Sequence, residues 1–248
     1  MQLTAFVTGA DRGLGLAMTQ QLLQLEWQVY AGQYLANWPE LNELAASYPD
    51  RLRIVPLDVS SLDSVQAAAG LVADSTERVD VLINNAGVTS PVMGRTIGEG
   101  LDYTEMQRLY NTNSLGPLRM VEAFLPLLAN SEMKRLCFVS SEAGSIARAQ
   151  RESWFGYCMS KSALNMAVKL LFNNLRPQGY TFRLYHPGWV RSYMSGKKNL
   201  NAHLEPEVAA VPALQYFLGE GTIEMENPVV YDEDQLVMSD WQGNVWPW

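Results

Sequence analysis

Short unbroken apolar runs alternate with longer segments in which apolar residues recur every third or fourth position, from the start of the chain to near its end. The short runs, bounded by turn formers, predict strands over 3–7, 28–31, 52–57, 79–83, 135–139 and 182–185. The periodic segments predict helices over 14–26, 39–46, 63–74, 102–128, 154–175 and 207–217, the second with Pro39 near its start. Within 89–100 four glycine or proline residues mark a loop. The long helix over 102–128 is expected to bend near Gly116-Pro117 and Pro126, because proline removes an interior hydrogen bond, and 154–175 is stopped by Pro177 and Gly179. In the tail, 228–231 and 236–239 both qualify as a last strand.

Strand and helix alternate with no internal repeat and no break in composition. This order predicts an α/β fold, a doubly wound parallel sheet with right-handed crossovers and helices on both faces, as one domain over 1–248. Such sheets bind ligands beyond the carboxyl ends of their strands. The polar clusters fall there: Thr8 to Gly15, Asp58 with Val59, Asn84-Asn85-Ala86-Gly87, Ser140-Ser141 and Pro187-Gly188. In the first cluster Gly9, Gly13 and Gly15 free the backbone for a tight turn and a close approach, and Leu14 opens a helix whose N–H groups and dipole favour a phosphate. The spacing G-x-x-x-G-x-G departs from the commoner G-x-G-x-x-G, so a second signature is needed.

The composition narrows the classes. With 18 basic against 26 acidic residues the net charge is 18 − 26 = −8, and no basic run appears, which disfavours nucleic acid and anionic membranes as partners. Cys137, Cys158, His186 and His203 have no metal-ligand spacing. There is neither a leader pattern nor an apolar run long enough to span a bilayer, and the expectation is a cytoplasmic protein with reduced thiols.

The second signature is Tyr157-Cys158-Met159-Ser160-Lys161, which sets a phenol and an ammonium one helical turn apart. For a phenol of pKa about 10 to exchange protons near neutrality it must come down roughly 3 units, about 4 kcal/mol. A cation about 4 Å away supplies on the order of 4 kcal/mol at an effective dielectric of about 20.

Thr8-Gly9 with Gly13 and Gly15, the Asn84 to Gly87 cluster, Asn113 followed by Gly116, Ser140-Ser141 with Gly144, the Tyr157/Lys161 pair and Pro187-Gly188 occur together and in order. The chain thereby resembles the compact branch of the short-chain dehydrogenase/reductase family from about residue 2 to 194, and within it the carbonyl-reductase and C-factor-like members. The resemblance implies hydride transfer between a nicotinamide and a carbonyl/alcohol pair, with Tyr157 as general acid or base. It also implies that Lys161 lowers the Tyr157 pKa and holds ribose hydroxyls, and that Ser141 steadies the substrate oxygen. Asn113 would keep a break in its helix and hold a water leading to Lys161. Asn85, Ala86 and Gly87 would pack beside the cofactor, Asp58 and Val59 would face the adenine, and Pro187, Gly188, Val190 and Ser192 would meet the nicotinamide end. The family's ending favours 236–239 as the last strand, with 220–235 as extra material of no assigned role.

Cofactor choice rests on few residues. Gly32-Gln33-Tyr34 offers neither the carboxylate of NAD sites nor the cation of NADP sites; Arg12 in the glycine turn favours NADP, and Asp11 beside it opposes a 2′-phosphate, leaving NADP expected with NAD open. The stretch between Ser141 and Tyr157 is longer than usual and brings Arg148, Arg151 and Trp154 to one wall. A substrate lid is expected over about 192–208, and Met93, Trp154, Trp189, Tyr193 and Met194 suggest an apolar or aromatic carbonyl substrate. By analogy the two long helices pair copies into a homodimer or homotetramer. The alternative function is a non-catalytic nucleotide-binding or signalling protein on the same fold.

Overall fold

A computed structural model of the protein describes residues 2–194, 196–219 and 232–248. Among these, β1 (Thr4–Val7), β2 (Gln28–Gln33), β3 (Leu52–Pro56), β4 (Val81–Asn84), β5 (Arg135–Val139), β6 (Thr181–His186), β7 (Met238–Asp240) and β8 (Val245–Trp246) form one sheet. Its order is β3-β2-β1-β4-β5-β6-β7-β8. The pairings are parallel up to β6 with β7, whereas β8 returns antiparallel to β7. The doubly wound parallel sheet is as expected, and β8 adds one short antiparallel edge. The Asp240 carboxylate accepts the Gln242 and Asn244 amides at 2.9 and 2.8 Å and turns the chain back, and a strand so short leaves no periodic signal. The alternative last strand, 228–231, lies outside the described residues.

Seven helices follow among the described residues: α1 (Gly13–Gln24), α2 (Pro39–Ser47), α3 (Leu62–Ala73), α4 (Tyr103–Tyr110), α5 (Gly116–Ala129), α6 (Phe155–Leu175) and α7 (Pro206–Leu218). No helix there is long and apolar enough to cross a membrane. Side chains alternate across the sheet, so the core has two halves. Ala5 and Val7 of β1 face Met18 and Leu22 of α1 and Leu214 of α7. Phe6 points the other way, where its ring meets Phe124 of α5 with centroids 4.6 Å apart, in a cluster with Leu82, Phe138 and Val168.

Three boundaries differ from the sequence reading for local reasons. β2 continues through Gly32 to Gln33 because Gly32 lies flush on Leu57; a Cβ there would stand 2.6 Å from Leu57 Cδ2. The helix expected over 102–128 is two helices joined by a wide π-type turn at Asn111–Leu115, so the break precedes Gly116-Pro117, and Pro126 sits inside α5. α6 starts at Phe155, with Trp154 before it in the left-handed region at φ +66.

The 220–235 stretch acquires one role within the described part. Arg135 and Arg183, both buried, donate to the last carbonyls of α7, Phe217 O at 2.6 Å and Tyr216 O at 3.0 Å. Glu233 accepts both terminal nitrogens of Arg183 at 2.9 and 2.6 Å. Burial alone would raise the Glu233 carboxyl, yet Arg183 and Arg135 hold it below the ordinary carboxylate range. The tail is thereby fastened to the amino end of the sheet, away from the crevice.

Candidate active site

The crevice begins at the glycine turn. Gly9 and Gly13 take φ of +61 and +57, which a side chain resists, and a Cβ on Gly15 would stand 2.1 Å from Gly9 O. The turn is tied to the end of β4: Thr8 Oγ1 accepts the amides of Asn85 and Ala86, both at 2.9 Å, and Asn85 Nδ2 donates to Thr8 O at 2.9 Å and Gly9 O at 3.2 Å. Asn85 is thus a strut of the turn. Neither a side-chain cap nor an acidic first-turn residue blocks the N-terminus of α1, which begins at Gly13 and Leu14.

Arg12 is not a free cation. Its guanidinium meets the buried Asp11 carboxylate at 3.1 Å and lies over the Trp38 ring, 5.0 Å from the centroid. Asp11 Oδ2 also accepts the Leu35 amide at 3.4 Å. At the end of β2, Gln33 Nε2 is a buried donor without a hydrogen-bond partner. After β3, the Asp58 carboxylate accepts Ser60 N at 2.8 Å and Ser60 Oγ at 2.6 Å, and Val59 is buried against Gly116.

The π-type turn aims Asn113 inward. Its Oδ1 accepts Val88 N at 2.8 Å, and its Nδ2 donates to Val88 O and Ser160 Oγ, each at 3.0 Å, while Ser114 Oγ donates to Ser160 O at 2.7 Å. Asn113 therefore clamps the strand end at Gly87 to α6. The two serines after β5 differ: Ser140 Oγ is bound to Asn165 at 2.6 Å, whereas Ser141 Oγ accepts Ala143 N at 3.2 Å and stands beside the Tyr157 phenol.

Tyr157 and Lys161 share one face of α6. The Lys161 ammonium donates to Val139 O at 3.0 Å, and burial brings it down to about 8. Burial pushes the Tyr157 phenol up to about 12; the Ser141 hydrogen bond and Arg151 pull it down, and Glu142 and Cys158 push it up. The cation acting on the phenol is Arg151. Lys161 is not among the groups that shift the phenol here, its Nζ being bonded to Val139 O.

The far side of the crevice comes from the segment after β6. Gly188 takes φ +76 under Trp241 and Leu204, where a Cβ would lie 2.7 and 2.8 Å from side-chain atoms, and Val190 bridges to Leu204. Ser192 N donates to Val190 O at 2.8 Å and Ser192 O accepts Asn199 N at 3.0 Å. Tyr193 meets Trp38 with ring centroids 4.9 Å apart, and Met194 O accepts Thr89 Oγ1 at 3.2 Å. Trp189 instead packs on His203 and is 53% exposed, which removes it from the apolar lining, and Arg148 turns to Trp246. Sequence reasoning missed Trp38, Ser160 and Glu142. Only Glu142, directly after Ser141, carried a positional signal; the others are defined by contacts across the crevice. Among the described residues no three His, Cys, Asp or Glu side chains are grouped to hold a metal ion.

The family model described as short chain dehydrogenase matches residues 3–203. The chain is 45% identical to the C-signal protein of Myxococcus xanthus over 121 residues, 49% of this chain and 71% of that one. It is 34% identical to an uncharacterised oxidoreductase of Schizosaccharomyces pombe over 216 residues, 85% of this chain and 83% of the relative. Among solved structures, NADPH-bound carbonyl reductase from chicken fatty liver superposes with a TM-score of 0.84 at 29% identity, covering 100% of both chains. A short-chain dehydrogenase/reductase structure from Burkholderia multivorans with bound NADP gives 0.85 at 28% identity, again over 100% of both chains.

Proposed function

The chain belongs to the short-chain dehydrogenase family and is an NAD(P)-dependent oxidoreductase, and from that premise we propose that it reduces carbonyl compounds with NADPH, Tyr157 giving the proton. The observation that carries the reading is the buried Tyr157 phenol with Ser141 beside it, on the helix that also presents the buried Lys161. The residues fit a dinucleotide. Gly9 and Gly13 hold backbone angles that a side chain resists, Gly15 has no room for a Cβ, and the orphaned Gln33 amide is a donor awaiting an acceptor at the ribose end. Bound there, NADPH supplies a hydride.

Tyr157 gives its proton to the carbonyl oxygen as the hydride reaches carbon, and Ser141 donates a hydrogen bond to that oxygen. Lys161 holds the ribose hydroxyls, and Asn113 fixes the geometry between Gly87 and α6. The turn from Gly9 to Gly15 and the α1 start at Leu14 hold the phosphates through backbone N–H groups, with the Asp11–Arg12 pair beside them; Gln33, Asp58 and Val59 hold the adenosine half. Asn85, Ala86, Gly87, Pro187, Gly188, Val190 and Ser192 line the nicotinamide half. A cytoplasmic location, one domain over 1–248 and a homodimer or homotetramer belong to the same reading, the last supported by Met166 and Leu170 lying exposed on α6.

NADPH oxidation with a panel of aldehydes, ketones and quinones tests this, with Tyr157→Phe as control. Loss of turnover by at least about 100-fold is expected; equal rates in both proteins remove the enzymatic reading. The 45% identity with the C-signal protein favours a second one, a nucleotide-binding signalling protein, which that outcome would support.

A further inference from the structure

Beside the phenol stands a wall that the other site residues do not need. Glu142 follows Ser141 directly, and Arg151 reaches back across the loop to grip it with both forks, Nη1 to Oε2 at 2.8 Å and Nη2 to Oε1 at 2.5 Å. The same guanidinium lies over the Trp154 ring, 4.6 Å from its centroid. Trp154 in turn meets the Tyr157 ring at 6.3 Å between centroids with an interplanar angle of 80°. The indole's place is strongly determined. A bulky residue at φ +66 is strained, and its amide is held by Met93 O at 2.9 Å. Strain of this kind persists where neighbouring contacts enforce it, and here they hold an aromatic ring one turn ahead of the proton donor.

Charge at this wall is matched. Arg151 has its carboxylate partner, so an incoming anion would find no unopposed cation and would meet the Glu142 charge as well. Across the cavity on the other side of Tyr157, Arg95 stands with Asp102 and Glu105, and Glu105 is held by Arg108. Lys161 faces Val139 and is directed away from the wall. An aromatic, charge-balanced surface beside the hydroxyls that hold a carbonyl oxygen favours an uncharged substrate with an aryl group on the carbonyl carbon.

We propose that Glu142, Arg151 and Trp154 form a specificity wall that selects neutral aryl ketones and aldehydes over their carboxylate-bearing counterparts, with Glu142 the residue that rejects the anion. The inference rests on the assignment of Tyr157 and Ser141 to the carbonyl. The test compares acetophenone with 4-acetylbenzoate, which differ by one remote carboxylate. The unmodified protein should favour the neutral ketone in kcat/KM by about 10- to 100-fold. Glu142→Gln should narrow that ratio by about tenfold, chiefly by lowering KM for the anion. Arg151→Met, which leaves Glu142 unopposed, should widen it. Trp154→Ala should weaken acetophenone more than a small aliphatic ketone, and Trp154→Phe should restore most of the difference.

The same two compounds bound to the NADPH complex of Tyr157→Phe, followed by calorimetry, give the ratio without turnover. A ratio that Glu142→Gln leaves unchanged in both measurements overturns the wall. Turnover indifferent to Tyr157→Phe overturns the site assignment instead, and the binding ratio still decides the wall.

Discussion

Lys161 Nζ donates to the carbonyl of Val139 at 3.0 Å, inside the protein and on the strand side of α6. Burial lowers its pKa from 10.5 to about 8, a cost of about 3 kcal/mol carried by the folded state at neutral pH. Below pH 8 the ammonium is charged both folded and unfolded, so the cost is fully present. Between 8 and 10.5 the unfolded chain keeps the proton that the folded chain releases, and stability rises with pH. Lys161→Met should therefore stabilise the fold at neutral pH by about 1–2 kcal/mol, after the lost hydrogen bond to Val139, while abolishing turnover. Urea unfolding in neutral and alkaline buffers checks this. The advantage should fade as pH rises, and a variant less stable at neutral pH contradicts the reasoning.

Tyr157, pushed up to about 12, retains its proton throughout the neutral range. Ketone reduction, which needs the protonated phenol, should be nearly flat between about pH 6 and 8. Alcohol oxidation needs the phenolate and should climb by about tenfold per unit over the same interval. Initial rates in both directions measure this, and oxidation that levels off near neutrality would mean that the phenol titrates far lower.

Gly15 has no room for a methyl group, since its Cβ would lie 2.1 Å from Gly9 O and 2.6 Å from Asn85 Nδ2. Gly15→Ala should displace the turn and weaken NADPH binding by at least about 100-fold in a fluorescence titration. Gly70 in α3 has open space around it, and Gly70→Ala should instead stabilise the fold by about 0.5–1 kcal/mol without affecting binding.

Asp11 holds Arg12 by an ion pair and accepts the Leu35 amide. Asp11→Asn keeps an acceptor for that amide while freeing the guanidinium for a 2′-phosphate. NADPH should bind about 3- to 10-fold more tightly and NADH about as before. Equal gains for both nucleotides would place the pair away from the 2′ position.

The alternation of apolar runs made the order of strands and helices legible through β6, because the strands inside the edge strand β3 are buried on both faces and each crossover helix has one apolar stripe. The co-occurring glycine, Asn, Ser and Tyr/Lys motifs located the crevice, since they stand at strand ends where side chains converge. Orientation was hidden. Spacing puts Lys161 one turn from Tyr157 but does not tell that its ammonium bonds Val139. It puts Arg12 in the turn but does not reveal that Asp11 and Trp38 hold it. The break expected at Asn113 lies at Asn111–Leu115, but periodicity alone placed the bend at Gly116-Pro117, because a wide helical turn has no composition of its own. β8 escaped because it is two residues long and its pairing is set by the Asp240 turn.

The seating of Trp241 on Gly188 binds the order of synthesis to the maturing of the crevice. Synthesis has passed α7 before that indole can reach the loop, so the bank opposite the glycine turn is braced later than the turn itself is made. A nascent chain halted ahead of β7 would carry a finished nucleotide cradle with an unbraced opposite bank, so nucleotide retention on stalled chains of graded length would time the arrival of the final hairpin.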